Sequence, residues 1–467
     1  MTVYQEKIAK KKQYFENSAI ILIAFTTAFF PRIIQTLGVP PIINFVHFAV
    51  VPLALIIALF TNRSKNRTQI AISWEFVFGL LLFLAVITAS ALFNNAGVIN
   101  VILEYFLYGE PYILVLAIVC TPIGRENLEE FKKWFLWFCI INFLLAVLQS
   151  LLINSGILNI SHLTQAPADG VQGVFFWSGA GNSVSATVTL SVAVDYFINS
   201  KKAPIWLRSL ALGAAIYQIV ISDSKQMIIG FFGAWFLLIL TEVKNIIKLL
   251  TSLIFLVLTG VIFWWCMNNV EAFHAFKMWG DRLEIFAPGG EAFDVKTAAI
   301  RIILPYYKSP LHWLFGLGPG HTVGRLGGWL LKDYWLLLGP LGATIHPVSA
   351  KTWEVGLASW LFMNSTFFSP FYGWVGMWGD IGLLGIGGYL YLNFVLWSRV
   401  CLDRISKLLM LTVFLFGFMF VQTEEPGYML SLAVLFGIRW HEHRIALSSR
   451  QRSINLPPNT NRSLEVI

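Results

Sequence analysis

Apolar residues run along this chain in long stretches broken by short polar ones. "SAIILIAFTTAFF" opens one such stretch, and "FVFGLLLFLAVITASALF" and "LLTSLIFLVLTGVIFWWC" fill two others. At a rise of 1.5 Å per residue, about 20 such residues cross a hydrocarbon core about 30 Å thick, and a helix is the form that satisfies its own backbone there. The pattern predicts spans at roughly 18–37, 39–60, 73–92, 98–120, 131–153, 180–199, 205–222, 225–241, 248–267, 371–397, 405–421 and 424–439. The expected fold is therefore an all-α polytopic membrane protein of about twelve transmembrane helices with one large extracytoplasmic loop. In this division, 1–267 holds helices 1 to 9, 268–370 the loop, 371–439 helices 10 to 12, and 440–467 a polar, disordered cytoplasmic tail. The first stretch follows "EKIAKKKQ" and leads into a second span instead of a small-residue cleavage site, so it reads as a retained helix.

Composition agrees: 57% of residues are hydrophobic, 12% are charged, and mean hydropathy is +0.69, outside the range of soluble domains. A formal charge of +8 raises nucleic acid as a partner, but the distribution of the basic residues reads as a topology signal, and no nucleic acid is expected. Arg63, Lys65 and Arg67, then Arg125, Lys132 and Lys133, then Lys201, Lys202 and Arg208 fall in loops on the side of the N-terminus, as do Lys244, Lys248, Arg399, Arg404 and Lys407. The short loops of the other face hold almost none, Lys225 excepted. That asymmetry places both termini in the cytoplasm. Four cysteines, Cys120, Cys139, Cys266 and Cys401, lie in or beside apolar segments without CxxC or Cys/His spacing, so neither a disulfide framework nor a metal site is expected.

The connection 268–370 carries eight Lys/Arg against seven Asp/Glu and many Trp, Pro and Gly residues. "VEAFHAFKMWGDRLEIF" and "EAFDVKTAAIRIILPYY" have helical spacing. "SPLHWLFGLGPGHTVGRLGG" is turn-rich. "WLLKDYWLLLGPLG" and "VGLASWLFMNSTFF" suit re-entrant or interfacial helices, and Trp313, Trp329, Trp335, Trp353 and Trp360 suit interfacial anchors.

Three stretches hold candidate chemistry. "ISDSKQM" is a break between two apolar helices, read either as a turn in which Asp223 and Lys225 offset each other or as a phosphate site. "RIILPYYKSPLHWLFGLGPG" brings Arg301, Lys308 and His312 to a glycine-ended stretch; it lacks the GxxxxGK[ST] pattern of a nucleotide loop. "FYGWVGMWGDIGLLGIGGYLYL" opens a helix with Asp380 near its outer end, an acid that is costly in lipid unless paired or facing water. Further ionisable groups within apolar stretches are Arg32, His47, Glu104, Glu110 and Asp195. Glu110 precedes Pro111, a kink site, and a spacing of six keeps Glu104 and Glu110 off one helix face.

In this order, a Ser-x-Ser-basic turn, a large loop with Arg followed by "LFGLGPG", and "GDIGLLGIGGYLYL" opening the next helix resemble the O-antigen ligase and O-antigen polymerase superfamily of bacterial membrane glycosyltransferases. The family pattern is S-x-S-R, then R with G-x-G-P-G, then H-N and E-x-G-x-x-G, and the resemblance covers roughly residues 180 to 397. It implies an enzyme of the bacterial inner membrane that moves an oligosaccharide from undecaprenyl diphosphate to an acceptor on the periplasmic face, without cofactor or metal. The implied partners are that lipid-linked oligosaccharide, an acceptor glycan, the lipid bilayer and other polysaccharide export proteins. Carried over, Lys225 and Arg301 bind the diphosphate with Lys308 and Arg325 as helpers, and Ser222, Asp223, Ser224 and Asp380 support them. The family's histidine before the last motif is missing, since "FSPFYG" stands there, and Lys225 and Asp380 replace the usual Arg and Glu. The candidates for the catalytic base are then His321, His346 and Glu354. A surface-polysaccharide polymerase is the leading expectation. An O-antigen ligase acting on lipid A core, a lipid-linked oligosaccharide flippase or secondary transporter, and a non-catalytic export subunit are the alternatives.

Overall fold

Val98–Cys120 is mostly apolar but carries Glu104 and Glu110, acids that lipid would not tolerate, so it has to be surrounded by protein. In the computed structural model, which describes residues 18–61, 67–160, 166–177, 180–241, 246–270, 277, 283–364, 368–370 and 372–454, it is the central element. In chain order the longer helices and their close connectors are α1 (Ser18–Phe29), α2 (Pro31–Gln35), α3 (His47–Thr61), α4 (Arg67–Asn94), α5 (Val98–Cys120), α6 (Arg125–Asn154), α7 (Gly181–Asn199) and α8 (Ile205–Ile221). Then come α9 (Gln226–Thr241), α10 (Ile246–Asn269), α11 (Glu291–Ile303), α12 (Pro310–Phe315), α13 (Pro347–Ala358), α14 (Gly373–Val395), α15 (Arg404–Phe416) and α16 (Pro426–Ile454).

No strand occurs among the described residues, and each predicted span overlaps helix, although 405–421 runs past the helix end at Phe416. Five stretches are long and apolar enough to cross a membrane: α4, α5, α6, the Leu249–Asn269 part of α10, and Gly373–Val400. The first two predicted spans are shortened by proline. Pro31 separates α1 from α2, and Pro40 and Pro41 start a 3-10 turn before α3. α5 packs against α3, α4 and α16, and every residue from Leu107 to Cys120 is buried. Phe25, Phe29, Phe76, Phe83, Tyr108, Tyr112, Tyr389 and Tyr428 join it in one core. Lipid tails are as apolar as these side chains, so close packing holds such a bundle together. None of the described residues of α10 is buried, and it meets α9 where Phe255 touches Trp235 and Phe263 touches Phe232.

The 268–370 connection folds down onto the helices. Its α11 packs on α13 and its α12 on α14, while Leu326, Leu330, Leu331 and Leu338 cover Leu103 and Leu107 of α5. The "WLLKDYWLLLGPLG" stretch is cut into helical pieces at Leu331–Asp333 and Trp335–Leu338. Most of "VEAFHAFKMWGDRLEIF" lies outside the described residues. At the C-terminus α16 continues to Ile454, past residue 440 where the sequence places the start of the tail, and 455–467 lie outside the described residues.

Two glycine motifs meet here. α14 is broken at Gly382, whose φ of 65° and ψ of −165° no helix accommodates. At that break the N–H groups of Leu317 and Gly318 donate to the carbonyls of Gly379 and Asp380 at 2.7 and 3.0 Å. A Cβ on Gly382 would stand 2.4 Å from the Leu314 carbonyl, and one on Gly316, at φ 70°, 2.5 Å from that of Asp380. The glycines of "LFGLGPG" and "GDIGLLG" thus serve a backbone-to-backbone contact.

Candidate functional site

Two arginines far apart in sequence reach one cavity on the side of the bundle covered by the 268–370 connection. It is a narrow, partly open cleft with a volume of about 30 Å³, and Arg32, Asn44, His47, Phe175, Arg325 and Glu425 are among its walls. Arg32 comes from α2, where Pro31 sets the first turn. Its Nη1 donates to the Tyr334 hydroxyl at 3.3 Å, and Asn44 Nδ2 donates to the same oxygen at 3.1 Å and to Gln35 Oε1 at 2.7 Å. Arg32 forms no ion pair among the described residues, which leaves its charge facing the cavity.

Arg325 is 7% exposed. Its guanidinium lies 3.1 Å from Glu425 Oε2 and donates to the Glu424 carbonyl at 2.7 Å, and its backbone N–H donates to Glu424 Oε2 at 2.6 Å. Burial pushes the Arg325 pKa down and the Arg32 charge adds to that effect, while Glu425 and Glu424 oppose it. The first residue of α3, His47, is 4% exposed, and its Nδ1 sits 2.8 and 2.9 Å from the two oxygens of Glu110 on α5, itself 1% exposed.

A second polar group lies beside this cavity. Glu104, Asp380 and Glu424 are fully buried, near enough for the charges of Asp380 and Glu424 to act on Glu104. Asp380 Oδ1 accepts the Thr322 N–H at 2.6 Å, so Asp380 and Glu424 together pin the 322–325 backbone. Neither oxygen of Glu104 has a hydrogen-bond partner among the described residues, nor do Asp380 Oδ2 and Glu424 Oε1.

Of the four cations assigned to the diphosphate, Arg325 alone is among the cavity's walls. Arg301 is half exposed at 53% and pairs with Asp294 at 3.1 Å on α11. Lys308 is exposed. Lys225 pairs with Asp223, which has a φ of 48°, and Ser222 and Ser224 are buried and bonded to each other at 3.2 Å, with Asn182 of α7 donating to the Ser222 carbonyl at 3.1 Å, so this segment is a turn held by its own residues and α7.

The proposed bases are occupied or remote. His321 Nδ1 donates to the Leu317 carbonyl at 2.8 Å and its Nε2 meets the Thr344 hydroxyl at 2.8 Å, which uses both ring nitrogens. His346 caps α13 by accepting the Val348 N–H at 3.3 Å and stacks on His321 with centroids 5.5 Å apart. Burial pushes the pKa of His321 down, with the Leu317 bond opposing, and takes His346 to about 4 with the help of the His321 and His312 charges. Glu354 is exposed on α13. His312 accepts the N–H groups of Lys308 and Ser309 at 3.0 and 3.3 Å and so closes the turn into α12.

The grouping of Arg32, His47 and Glu110 with Arg325 was not read from the sequence. Its signal was the cost of an ionisable side chain inside an apolar stretch, which marked the first three separately. No protein-family model matches this chain, and no curated protein matches it by sequence.

Proposed function

We propose that this chain is a glycosyltransferase of the bacterial inner membrane that polymerises surface polysaccharide, O-antigen or exopolysaccharide, by transferring glycan from undecaprenyl diphosphate to the hydroxyl of an acceptor glycan on the periplasmic face. The observation that carries this reading is the convergence of Arg32 and Arg325 on one cavity, with Arg32 free of any ion pair among the described residues. Transfer breaks a bond from the anomeric carbon to a diphosphate oxygen, and negative charge grows on that oxygen. Two guanidinium forks, matched to phosphate oxygens and partly withdrawn from water, stabilise that charge best. The order of motifs, a twelve-span topology and cytoplasmic termini belong to the same reading. Arg32 and Arg325 take the role first given to Lys225 and Arg301.

The buried trio Glu104, Asp380 and Glu424 favours a second reading, a flippase or cation-coupled transporter, because carboxylates inside a bundle commonly mark ion pathways. One experiment separates them. Purified protein is reconstituted with an undecaprenyl diphosphate-linked repeat, and product length is read on a gel. A ladder that Arg32→Gln abolishes supports the polymerase; transfer only when lipid A core is added makes the protein a ligase. Movement of the intact lipid-linked repeat between leaflets without transfer makes it a flippase.

A further inference from the structure

We propose that His47 is the base that accepts the proton of the attacking hydroxyl, and that Glu110 is the positioning residue that sets its tautomer. This rests on the lipid diphosphate reading above. A carboxylate can only accept, so with Glu110 Oε2 and Oε1 at 2.8 and 2.9 Å the neutral imidazole carries its proton on Nδ1. Nε2 then holds a lone pair, and it makes no hydrogen bond among the described residues. The ring is a wall of the cavity that also receives Arg32 and Arg325. By contrast, His321 spends both ring nitrogens and His346 spends Nδ1 on local hydrogen bonds.

The surroundings hold this arrangement. His47 starts α3 directly after the Pro41–Phe45 turn, whose Asn44 is tied to Gln35 and Tyr334. Glu110 sits on the fully enclosed part of α5, and the Phe48 ring lies 4.1 Å from that of His47. Glu110 from α5 contacts His47, and the other charged residues lining the same cavity are Arg32 from α2, Arg325 from the long connection and Glu425 just before α16. In the step, the acceptor oxygen bonds to the anomeric carbon as the bond from that carbon to the diphosphate oxygen breaks. The electron pair leaves with the diphosphate, held by Arg32 and Arg325, and the hydroxyl proton passes to His47 Nε2, which later returns it to water.

The test uses full-length protein in lipid nanodiscs with an undecaprenyl diphosphate-linked oligosaccharide, comparing wild type, His47→Gln, Glu110→Gln, Glu110→Asp and the double variant His47→Leu/Glu110→Leu. His47→Gln is expected to lower kcat by about 10²-fold or more while donor binding stays within about threefold. Glu110→Gln is expected to lower kcat while donor binding stays within about threefold, because the imidazole loses the acceptor that fixes its tautomer, and Glu110→Asp is expected to restore part of kcat. The double variant leaves no lone buried charge, so it is expected to fold, bind donor and be inactive even if a single variant folds poorly. Retention of kcat by His47→Gln or by the double variant would overturn the assignment and leave the diphosphate reading standing. A wild type that neither binds donor nor transfers glycan would take down both.

Discussion

Arg325 is both a buried half of an ion pair and a proposed diphosphate ligand, and the two roles separate in a double-mutant cycle with Glu425. The pair is 3.1 Å apart with 8% and 7% of the side chains exposed. At that distance and an effective dielectric of about 20, the attraction is about 5 kcal/mol, against a desolvation cost of similar size. Arg325→Met removes one partner, leaves Glu425 buried and alone, and takes a hydrogen bond from the Glu424 carbonyl, so it is expected to cost about 3–5 kcal/mol. Glu425→Gln leaves Arg325 beside Arg32 with Glu424 as its remaining acidic neighbour, and is expected to cost less, about 2–3 kcal/mol. The double variant Arg325→Met/Glu425→Gln buries no charge from this pair and should lie within about 1–2 kcal/mol of wild type. Thermal unfolding in detergent micelles, followed by tryptophan fluorescence, measures all four proteins. Stability restored in the double variant with donor binding still lost is the expected outcome. A double variant that is stable and fully active would refute the assignment of Arg325 to the donor, and additive losses would refute the ion pair as the source of the cost.

Three other outcomes follow from the geometry. Gly382→Ala forces a side chain to φ 65° and into the Leu314 carbonyl, and is expected to destabilise by about 3 kcal/mol or more in the same assay, whereas Gly387→Ala, with nothing near its Cβ, should be neutral. Arg301→Ala breaks an exposed pair and should change stability by less than about 1 kcal/mol with transfer intact, so a strong loss of transfer would return Arg301 to the site. Because His346 titrates near 4 when folded and His321 is lowered as well, these two rings hold fewer protons in the folded than in the unfolded chain below about pH 6.5. Their contribution to stability should therefore be full above that pH and be lost as pH falls towards about 4, so His346→Gln should raise stability at about pH 4–5 relative to wild type more than at about pH 8 in unfolding scans.

The five helices long and apolar enough to cross a membrane were legible because lipid imposes one pattern, a long and mostly apolar run, which Arg67–Asn94 and Arg125–Asn154 follow. Proline edited the first two runs into broken helices, which a hydropathy window averages away. The glycine motifs were visible but not their partnership, since "LFGLGPG" and "GDIGLLG" are joined by backbone hydrogen bonds across some sixty residues and those leave no mark in side-chain identity. The same limit governs the site. Lys225 is a neighbour of Asp223 in sequence and pairs with it, so its local charge balance could be read from the turn. Arg325 meets residues at 32 and 425 only because α2 and the start of α16 close the same cavity, and no spacing rule encodes that meeting.

The central claim is that Arg32 and Arg325 form a diphosphate site, and native mass spectrometry of the purified protein in detergent tests it most directly. Undecaprenyl diphosphate and undecaprenyl monophosphate would be titrated against wild type and Arg32→Gln. The expected result is preferential binding of the diphosphate by wild type, reduced about tenfold or more in Arg32→Gln, as loss of a charge-assisted bidentate contact implies. Equal binding of the two lipids, or a diphosphate affinity unchanged by Arg32→Gln, would contradict it.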